Sequence, residues 1–534
     1  MTVTGRIILL FVVLTVIATW PQAIRFNAVP DNVDSYFSLW RLGWIAHQLV
    51  QAPARLFDGN IFHPESNTLA YSDAILLLGA AGLPFVQAGV DIVYVYNALV
   101  LGSFVAAALG MFVLVRHLTS SPIAAVLSGV VFAFASYRYD HYFHLELLWS
   151  AWMPLAFWMV HRTLESGRLA HGLAVGLFVL LQILSSIYYG VFLGSGLVIL
   201  GIVLLPSRPR ERQRKALMAL SAGALLAAVL ALPYLLPYSR ARAVVGERNK
   251  GEALLHAAGP KHYLAVMPDN RLEGSWLGSL GRHEKRLFPG FVALALGLVA
   301  MWPPVSRTRI AYAVVLIFAV NLSFGPRGLG FEWLREHVFL YRGIRAPARV
   351  GQVALLVSGV LAGMGCARLH AWLSARRLPA NAVVAALIVI AFAEYLVKPL
   401  ELVSVPTRTP PAYEWLRTQP RGVVAEFPMP TKQTSPLLEG EFQFLSTFHW
   451  YPLVNGYSGN WSKRHVGFLE RVQKFPDEAA IAALREAGVE YVLVHERYLG
   501  RDHYAETVVR LDNRLTAAGR FPDDSYEIAA YVMR

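Results

Sequence analysis

The chain has 534 residues, of which 55% are hydrophobic and only 16% are charged. About a quarter of the residues in a soluble protein are charged, so this composition excludes an ordinary soluble enzyme and indicates an integral membrane protein. The formal net charge of +13 does not require a nucleic-acid partner, because arginine-rich cytoplasmic loops give membrane proteins the same bias. The single cysteine, Cys366, lies in an apolar run, which excludes a disulfide framework and predicts a buried, inert thiol.

Apolar runs long enough to cross about 30 Å of hydrocarbon recur along the chain up to about residue 400. The first run follows a basic flank and could also be the core of a signal peptide. The run 74–90 is shorter and contains Pro84, which favours an interfacial or re-entrant segment over a span. The remaining runs predict about eleven transmembrane helices, at residues 7–24, 93–115, 121–137, 145–161, 169–187, 188–205, 215–236, 289–304, 309–325, 350–367 and 381–397.

The positive charges predict the orientation of these helices. Short loops rich in arginine and nearly free of acids alternate with longer loops, and the rule that positive loops stay inside places them in the cytoplasm. The N-terminus is then cytoplasmic, while the loops at 25–92, 137–146, about 238–288 and 325–351 and the tail from about residue 400 lie outside. The arginine-rich loops are 116–121, 161–171, 206–215, 303–309 and 366–377.

The tail has the mixed polarity of a soluble domain. "GVVAEFPM", "VEYVLVHE" and "YEIAAYVMR" predict short strands, and "DEAAIAALREAG" predicts a helix that ends at Gly488. We therefore expect a transmembrane domain over residues 1–400 and a soluble extracytoplasmic α/β domain over residues 401–534.

The first outer loop places Asp31 and Asp34 directly after the first span, ahead of "SYFSLWRLGWIAHQLVQAPARLF". The spacing of its apolar residues predicts an amphipathic helix in the membrane interface. A carboxylate that is partly removed from water there is more basic, which suits a general base. The alternative is a structural role, with Asp34 as the N-cap of the helix.

A second polar cluster, "YRYDHYFHLE", follows the third span. His141, His144 and Glu146 are residue types that ligate a divalent metal, and Asp140 could be a second acid of the site. The alternative is a belt of interfacial residues with polar tips in water.

A third cluster, "YRGIRAPARVG", carries Arg342, Arg345 and Arg349 at intervals that would share one face of a helix. Arginines on the outer side run against the orientation rule, and their guanidinium forks suit a phosphate or pyrophosphate. Pro347 argues against a continuous helix, and anchoring in lipid headgroups is the alternative. In the tail, the aromatic-rich segment 440–465 suits either a sugar-binding surface or a loop packed on the membrane domain.

Taken together, these features resemble the GT-C superfamily of polytopic glycosyltransferases. The resemblance rests on the acids Asp31 and Asp34 with the interfacial helix after them. Three further patterns, "LFDGNIFHPESNTLAYSD", "SSIYYG" and "YRGIRAPAR", resemble an uncharacterised bacterial subgroup. The acids are spaced Asp-x-x-Asp and are not an adjacent acidic pair, which is a departure from the family pattern.

The resemblance implies an α-helical polytopic enzyme in the bacterial inner membrane. It would transfer a sugar, with inversion, from a polyprenyl-phosphate donor to an extracytoplasmic acceptor. It implies Asp34 as the base, Asp31 as the second choice, Asp140 as the acid after the third span, and a possible divalent metal. The alternative function is a transporter or flippase of a lipid-linked substrate. A transporter would carry ionisable groups at mid-membrane depth, whereas here Glu394, near the end of the last span, is the main such group.

Overall fold

The computed structural model describes residues 3–247, 249–430 and 437–533. Its contacts divide the chain into two compact units. The first, which we call the helical unit, comprises Met1–Arg25, Ala98–Tyr234 and Glu247–Leu400. The second, the mixed unit, comprises Phe26–Asn97, Leu235–Gly246 and Glu401–Arg534, so the first outer loop packs in the same unit as the tail.

Each predicted apolar run of the chain contains a helix. Within the described residues, five helices are long and apolar enough to cross a membrane, as expected for a multi-pass membrane protein. The other apolar helices are shorter, so the number of eleven spans stays a prediction. The run predicted over 145–161 is broken after a short helix and resumes at Trp152. The helices are Val3–Ala18, Ile92–Thr119, Pro122–Phe134, Ser136–Asp140, Leu145–Leu148, Trp152–Ser166, Leu169–Ser185, Ile187–Leu204, Arg210–Val245, Phe291–Met301, Arg307–Ser323, Gly351–Ala375 and Ala380–Glu394.

Small residues bring helices of the helical unit into backbone contact. A Cβ atom on Gly176 would collide with the backbone of Gly223, and one on Gly365 would collide with the backbone of Leu296. Apolar helices in lipid gain little from hydrophobic burial against one another, so close backbone approach supplies the packing energy.

The mixed unit begins with a backbone link between the first outer loop and the tail. Strand Ala28–Pro30 pairs antiparallel with Leu402–Ser404, with Val29 opposite Val403. Helix Val33–Gln51 follows and packs against helix Leu76–Gln87, which is the segment predicted to be interfacial or re-entrant. That segment is a helix of 12 residues, too short to cross the hydrocarbon alone.

The helix after Asp34 is buried on more sides than the amphipathic pattern of its sequence predicts. Every residue from Ser35 to Ala46 is buried. Helix Leu437–Leu445 of the tail covers one side, and Gly440 allows it to approach the carbonyl of Val33. The polar side chains of Ser35, Ser38 and Arg41 are thus covered by protein, and the place of this helix in the membrane interface stays a prediction.

The tail contains a four-stranded mixed sheet. Its order is Val423–Phe427, Val489–His495, Tyr526–Val532 and Thr516–Asp523, with the first pair parallel and the other pairs antiparallel. The three predicted strands are confirmed. The predicted helix is Glu478–Glu486, capped by Asp477 and followed by Gly488 at φ +74°. The other tail helices are Pro411–Thr418, Leu437–Leu445, Lys463–Val472, Glu496–Leu499 and Arg501–Asp512.

Candidate active site

Asp34 lies in the first turn of helix Val33–Gln51. The N-cap of this helix is Asn32, whose side chain accepts a hydrogen bond from the backbone N–H of Asp34 at 3.0 Å. The alternative that Asp34 itself caps the helix is therefore wrong. The Asp34 carboxylate is half-buried at the positive end of the helix dipole, whereas Asp31 is exposed.

Tyr457 holds the Asp34 carboxylate from the other side. Its hydroxyl donates a hydrogen bond to Oδ1 of Asp34 at 3.2 Å. The Tyr457 ring packs edge-on against Phe37, one helical turn after Asp34, with the ring centroids 5.5 Å apart. A residue of the tail thus contacts the carboxylate that the resemblance implies as the base.

Helix Leu437–Leu445 holds the loop that carries Tyr457. The Gln443 side-chain oxygen accepts from the N–H of Tyr457 at 2.9 Å, and a Glu439 carboxylate oxygen accepts from the N–H of Gly456 at 2.6 Å. Asn455 donates to the other Glu439 oxygen at 3.0 Å. Burial raises the pKa of Glu439 to about 7. This buried network sets the position of Tyr457 relative to the helix.

The aromatic-rich segment 440–465 packs on the first outer loop. The N–H groups of Phe62 and His63 donate to the carbonyls of Asn455 and Leu453 at 3.0 and 2.8 Å. Asn60, from the same loop, accepts from the Trp40 indole at 2.9 Å and donates to the carbonyl of Tyr451. The structure therefore shows that this segment packs on the first outer loop, and its predicted role as a sugar-binding surface stays a prediction.

In the helical unit, Asp140 is the centre of a second cluster, whose member His283 has a side chain that is 44% exposed. Asp140 is 1% exposed, and its Oδ1 accepts from Arg286 at 2.5 Å and lies 3.3 Å from Nδ1 of His283. Burial disfavours the charged form of His283, but the hydrogen bond and the charge of Asp140 outweigh it and raise the pKa of His283. Among the described residues, no hydrogen-bond partner meets Oδ2 of Asp140.

Three histidines meet beside this carboxylate. Nδ1 of His141 lies 3.1 Å from Nδ1 of His144, and one nitrogen each of His141, His144 and His283 lie within 4.8 Å of one another. Burial lowers the pKa of His141 well below its usual value, so its ring is neutral and offers a lone pair. The cluster fits a divalent cation, but His283 replaces the predicted Glu146 in the set.

The three predicted arginines do not share a helix face. Arg342 lies in the short 3-10 helix Phe339–Gly343 and Arg349 in the next one, Pro347–Val350, so the chain turns between them. A shared face would require one continuous helix over the three arginines. The structure, which describes all of residues 342–349, has no such helix, because Pro347 starts a new turn.

Arg349 is buried and its fork is occupied by Glu284. Its Nε and Nη2 donate to the two carboxylate oxygens of Glu284 at 2.9 and 2.6 Å. Burial alone would raise the pKa of Glu284, but the charge and hydrogen bonds of Arg349 hold it well below its usual range.

Arg345 and Arg342 are more accessible than Arg349. The Arg345 side chain is 29% exposed, with its Nε 3.9 Å from Glu252. Arg342 is exposed and donates to the carbonyl of Glu336 at 3.0 Å. The Tyr188 hydroxyl accepts from the N–H of Arg345 and donates to the carbonyl of Gly343, which joins the "SSIYYG" and "YRGIRAPAR" segments.

No protein-family model and no curated protein matches this sequence. Solved structures do match its fold. The arabinofuranosyltransferase AftD from mycobacteria superposes with a TM-score of 0.62 at 14% identity, over 99% of this chain and 39% of AftD. The archaeal oligosaccharyltransferase AglB from Archaeoglobus fulgidus, in complex with an inhibitory peptide and a dolichol-phosphate, gives 0.55 at 12% identity, over 99% of this chain and 74% of AglB.

ArnT from Cupriavidus metallidurans, bound to undecaprenyl phosphate, gives a TM-score of 0.54 at 13% identity, over 99% of this chain and 98% of ArnT. This chain has the GT-C fold. At these identities the similarity establishes the fold and no residue roles, and the chain spans only 39% of the length of AftD.

Within this GT-C fold, sequence reasoning missed four residues of the two clusters. Tyr457 lies in a segment noted only for its aromatic content. His283, Glu284 and Arg286 belong to the charged run "GRHEKR", which directly precedes an apolar run on the predicted outer side. A positively charged run on the outer side runs against the rule that positive loops stay inside. This exception could have identified these residues as candidates for the site.

Proposed function

We propose that the protein is a membrane glycosyltransferase that moves a sugar from a polyprenyl-phosphate donor to an extracytoplasmic acceptor. The GT-C fold supports membrane glycosyl transfer as the reaction class. The observation that carries the proposal is the half-buried Asp34 carboxylate, held by Tyr457 at the start of a buried helix.

Asp34 acts as the general base in this proposal. It takes the proton of the acceptor hydroxyl as that oxygen attacks the anomeric carbon, and the polyprenyl phosphate leaves with the electrons of the broken bond. Attack from the side opposite the phosphate inverts the anomeric centre. The Tyr457 hydrogen bond fixes the direction of the carboxylate, which a base needs for proton transfer.

Of the three predicted arginines, Arg345 and Arg342 are the ones accessible to a donor phosphate. Their side chains are accessible, and a guanidinium forms strong charge-assisted hydrogen bonds with phosphate oxygens. Arg349 was in the predicted set as well, but it would have to leave Glu284 to bind a phosphate. We therefore assign Arg349 to holding Glu284 in place beside His283.

His141, His144 and His283 would hold a divalent metal if the enzyme uses one, with Asp140 beside them. Such a metal would supply positive charge that stabilises the departing phosphate. Arg286 pairs with Asp140 at 2.5 Å and so compensates the charge of that carboxylate.

The transporter alternative has less support. Asp140 and Glu394 are each the last residue of their helix. Both Glu394 carboxylate oxygens accept from the N–H of Val292 in the first turn of the Phe291–Met301 helix, at 3.2 and 3.3 Å. This bond gives Glu394 a structural role as a helix cap, not a place in a transport path.

The experiment is a transfer assay with purified protein and a panel of polyprenyl-phosphate sugars, including arabinofuranose and aminoarabinose donors. The acceptor is the lipid and glycan extract of a deletion strain. We expect release of polyprenyl phosphate that depends on the acceptor and is lost in Asp34→Asn. Movement of the intact donor across vesicle membranes without release of the phosphate would favour the transporter.

A further inference from the structure

A cavity of about 430 Å³ opens where several helices of the helical unit end. It is lined by Thr119 at the end of Ile92–Thr119, Glu165 near the end of Trp152–Ser166, and Arg309 in the first turn of Arg307–Ser323. Arg208, after helix Ile187–Leu204, and Arg368, late in Gly351–Ala375, complete its charged lining. None of these residues belongs to the candidate active site.

The cavity lies at the other end of the helices from Asp140. The Pro122–Asp140 segment starts beside Thr119 and ends at Asp140 after 19 residues. The segment consists of the helices Pro122–Phe134 and Ser136–Asp140, separated at Ala135, so its length is at most about 28 Å, which is close to the thickness of the hydrocarbon layer. The cavity therefore opens at the membrane face that the arginine-rich loops predict to be cytoplasmic.

The residues that line the cavity carry more positive charge than negative charge. Among the described residues that line the cavity, Glu165 is the one acid, and it pairs with His117 at 3.0 Å. His161 is bonded to the Tyr312 hydroxyl at 2.9 Å. Arg309 and Arg368 both line the cavity and donate to the adjacent carbonyls of Pro304 and Pro303, so two like charges lie near each other. An anion between them would offset their repulsion.

The hydrogen bonds that Arg309 and Arg368 make within the protein do not neutralise their positive charges. Arg309 donates to the carbonyl of Pro304 at 3.1 Å, and Arg368 donates to the carbonyls of Ala300 and Pro303 at 3.3 and 3.2 Å and also to that of Trp302. Carbonyls are neutral acceptors. The Nε atom of Arg208 is buried and meets no hydrogen-bond partner in the part of the chain that the structure describes.

The N-terminus of a helix also lines the cavity. Ser306 caps the Arg307–Ser323 helix and lines the cavity together with Thr308. The first N–H groups of a helix and the positive end of its dipole favour an anion, and hydroxyls such as that of Thr308 donate hydrogen bonds to phosphate oxygens. Guanidinium groups and a helix N-terminus together are the chemistry that phosphate binding uses.

We propose that this cavity binds a phosphate group, supplied either by the headgroup of an anionic lipid or by a soluble phosphate compound. Basic pockets between helix ends at the cytoplasmic face are known to suit lipid headgroups. The site goes beyond glycosyl transfer and would stand if that proposal failed.

The test uses the full-length protein in a neutral detergent, with phosphatidylglycerol as the lipid probe and inorganic phosphate as the soluble probe. Arg208→Gln and Arg309→Gln should each weaken binding of a probe about tenfold, because each loses a charge-assisted contact. Arg214→Gln is the control: this exposed arginine lies on the same predicted side but outside the cavity. It should change binding by less than about twofold.

The two probes distinguish the source. Arginine-dependent binding of phosphatidylglycerol that millimolar phosphate does not displace supports a lipid headgroup, and arginine-dependent binding of phosphate alone supports a soluble compound. The proposal is overturned if wild-type protein binds neither probe, or if the cavity variants and Arg214→Gln bind both probes equally. Elution of each variant as wild type in size-exclusion chromatography establishes that it is folded.

Discussion

The hydroxyl of Tyr457 donates a hydrogen bond to Oδ1 of Asp34 at 3.2 Å, across 423 positions of sequence. The tail loop and the first outer loop therefore meet at the carboxylate proposed as the base. A base on the first turn of a helix is fixed at its Cα, but its side chain can rotate. Tyr457 limits that rotation.

Tyr457→Phe should lower turnover about tenfold and leave the KM for the donor nearly unchanged. The variant keeps the ring that packs on Phe37 and removes one hydrogen bond to a charged group, which is the kind of contact that contributes about 1.5–3 kcal/mol. Steady-state kinetics of both proteins measure the effect. Tyr526→Phe, at an exposed position of the tail, is the control. Equal kinetics for Tyr457→Phe and wild type would show that Tyr457 only packs.

Arg345→Ala and Arg349→Ala should fail in different ways. Arg345→Ala should weaken donor binding by about tenfold with little loss of stability, because an accessible phosphate ligand is removed. Arg349→Ala leaves Glu284 charged and buried, which should lower the stability by about 3–5 kcal/mol.

Donor titration and thermal unfolding in detergent separate the two effects. Glu284→Gln combined with Arg349→Met should regain much of the stability that Arg349→Ala loses, since it removes both charges of the pair. If Arg349→Ala were as stable as wild type and weakened only the donor, the phosphate role first predicted for Arg349 would be restored.

The histidine cluster should bind one divalent ion. Protein incubated with Zn²⁺ or Mn²⁺ and then desalted should retain about one ion per chain, because three imidazole nitrogens converge. His283→Ala should lose that ion and Glu146→Gln should keep it. Metal analysis of the desalted proteins is the measurement. Equal metal content in His283→Ala and wild type would remove His283 from the site.

The orientation can be tested by cysteine labelling. Ser207 and Ser525 are exposed, and Cys366 is buried, so the native thiol should stay silent. A membrane-impermeant maleimide added to intact cells should label Ser525→Cys but not Ser207→Cys. Labelling of Ser207→Cys under these conditions would contradict the predicted topology. It would mean that the arginine-lined cavity lies at the outer face.

The sequence predicts regular elements well here. Apolar runs mark the helices because a segment must be long and apolar to cross the hydrocarbon layer. The tail helix Glu478–Glu486 is readable because Asp477 and Gly488 are local signals for its two ends. The burial of the helix after Asp34 could not be predicted, since the helix that covers it comes from the tail.

The site residues were only partly predictable for the same reason. Asp140, His141 and His144 are neighbours in sequence and meet in space, whereas His283 and Tyr457 arrive from distant segments. The arginine spacing suggested one helix face, but Pro347 starts a second turn and Arg349 pairs with Glu284. The spacing of residues along the sequence predicts contacts within one helix or strand, but it does not predict contacts between separate elements.

The turnover of Asp34→Asn tests the central claim most directly. Asparagine keeps the size of the side chain and an oxygen that can accept from Tyr457, but it cannot take a proton. General-base catalysis contributes about 10²–10⁴-fold, so turnover should fall by that factor while donor binding and expression stay near wild type. Asp31→Asn, at the exposed neighbour, should fall much less. Wild-type turnover of Asp34→Asn, alongside an inactive Asp31→Asn or Asp140→Asn, would contradict the assignment of Asp34 as the base.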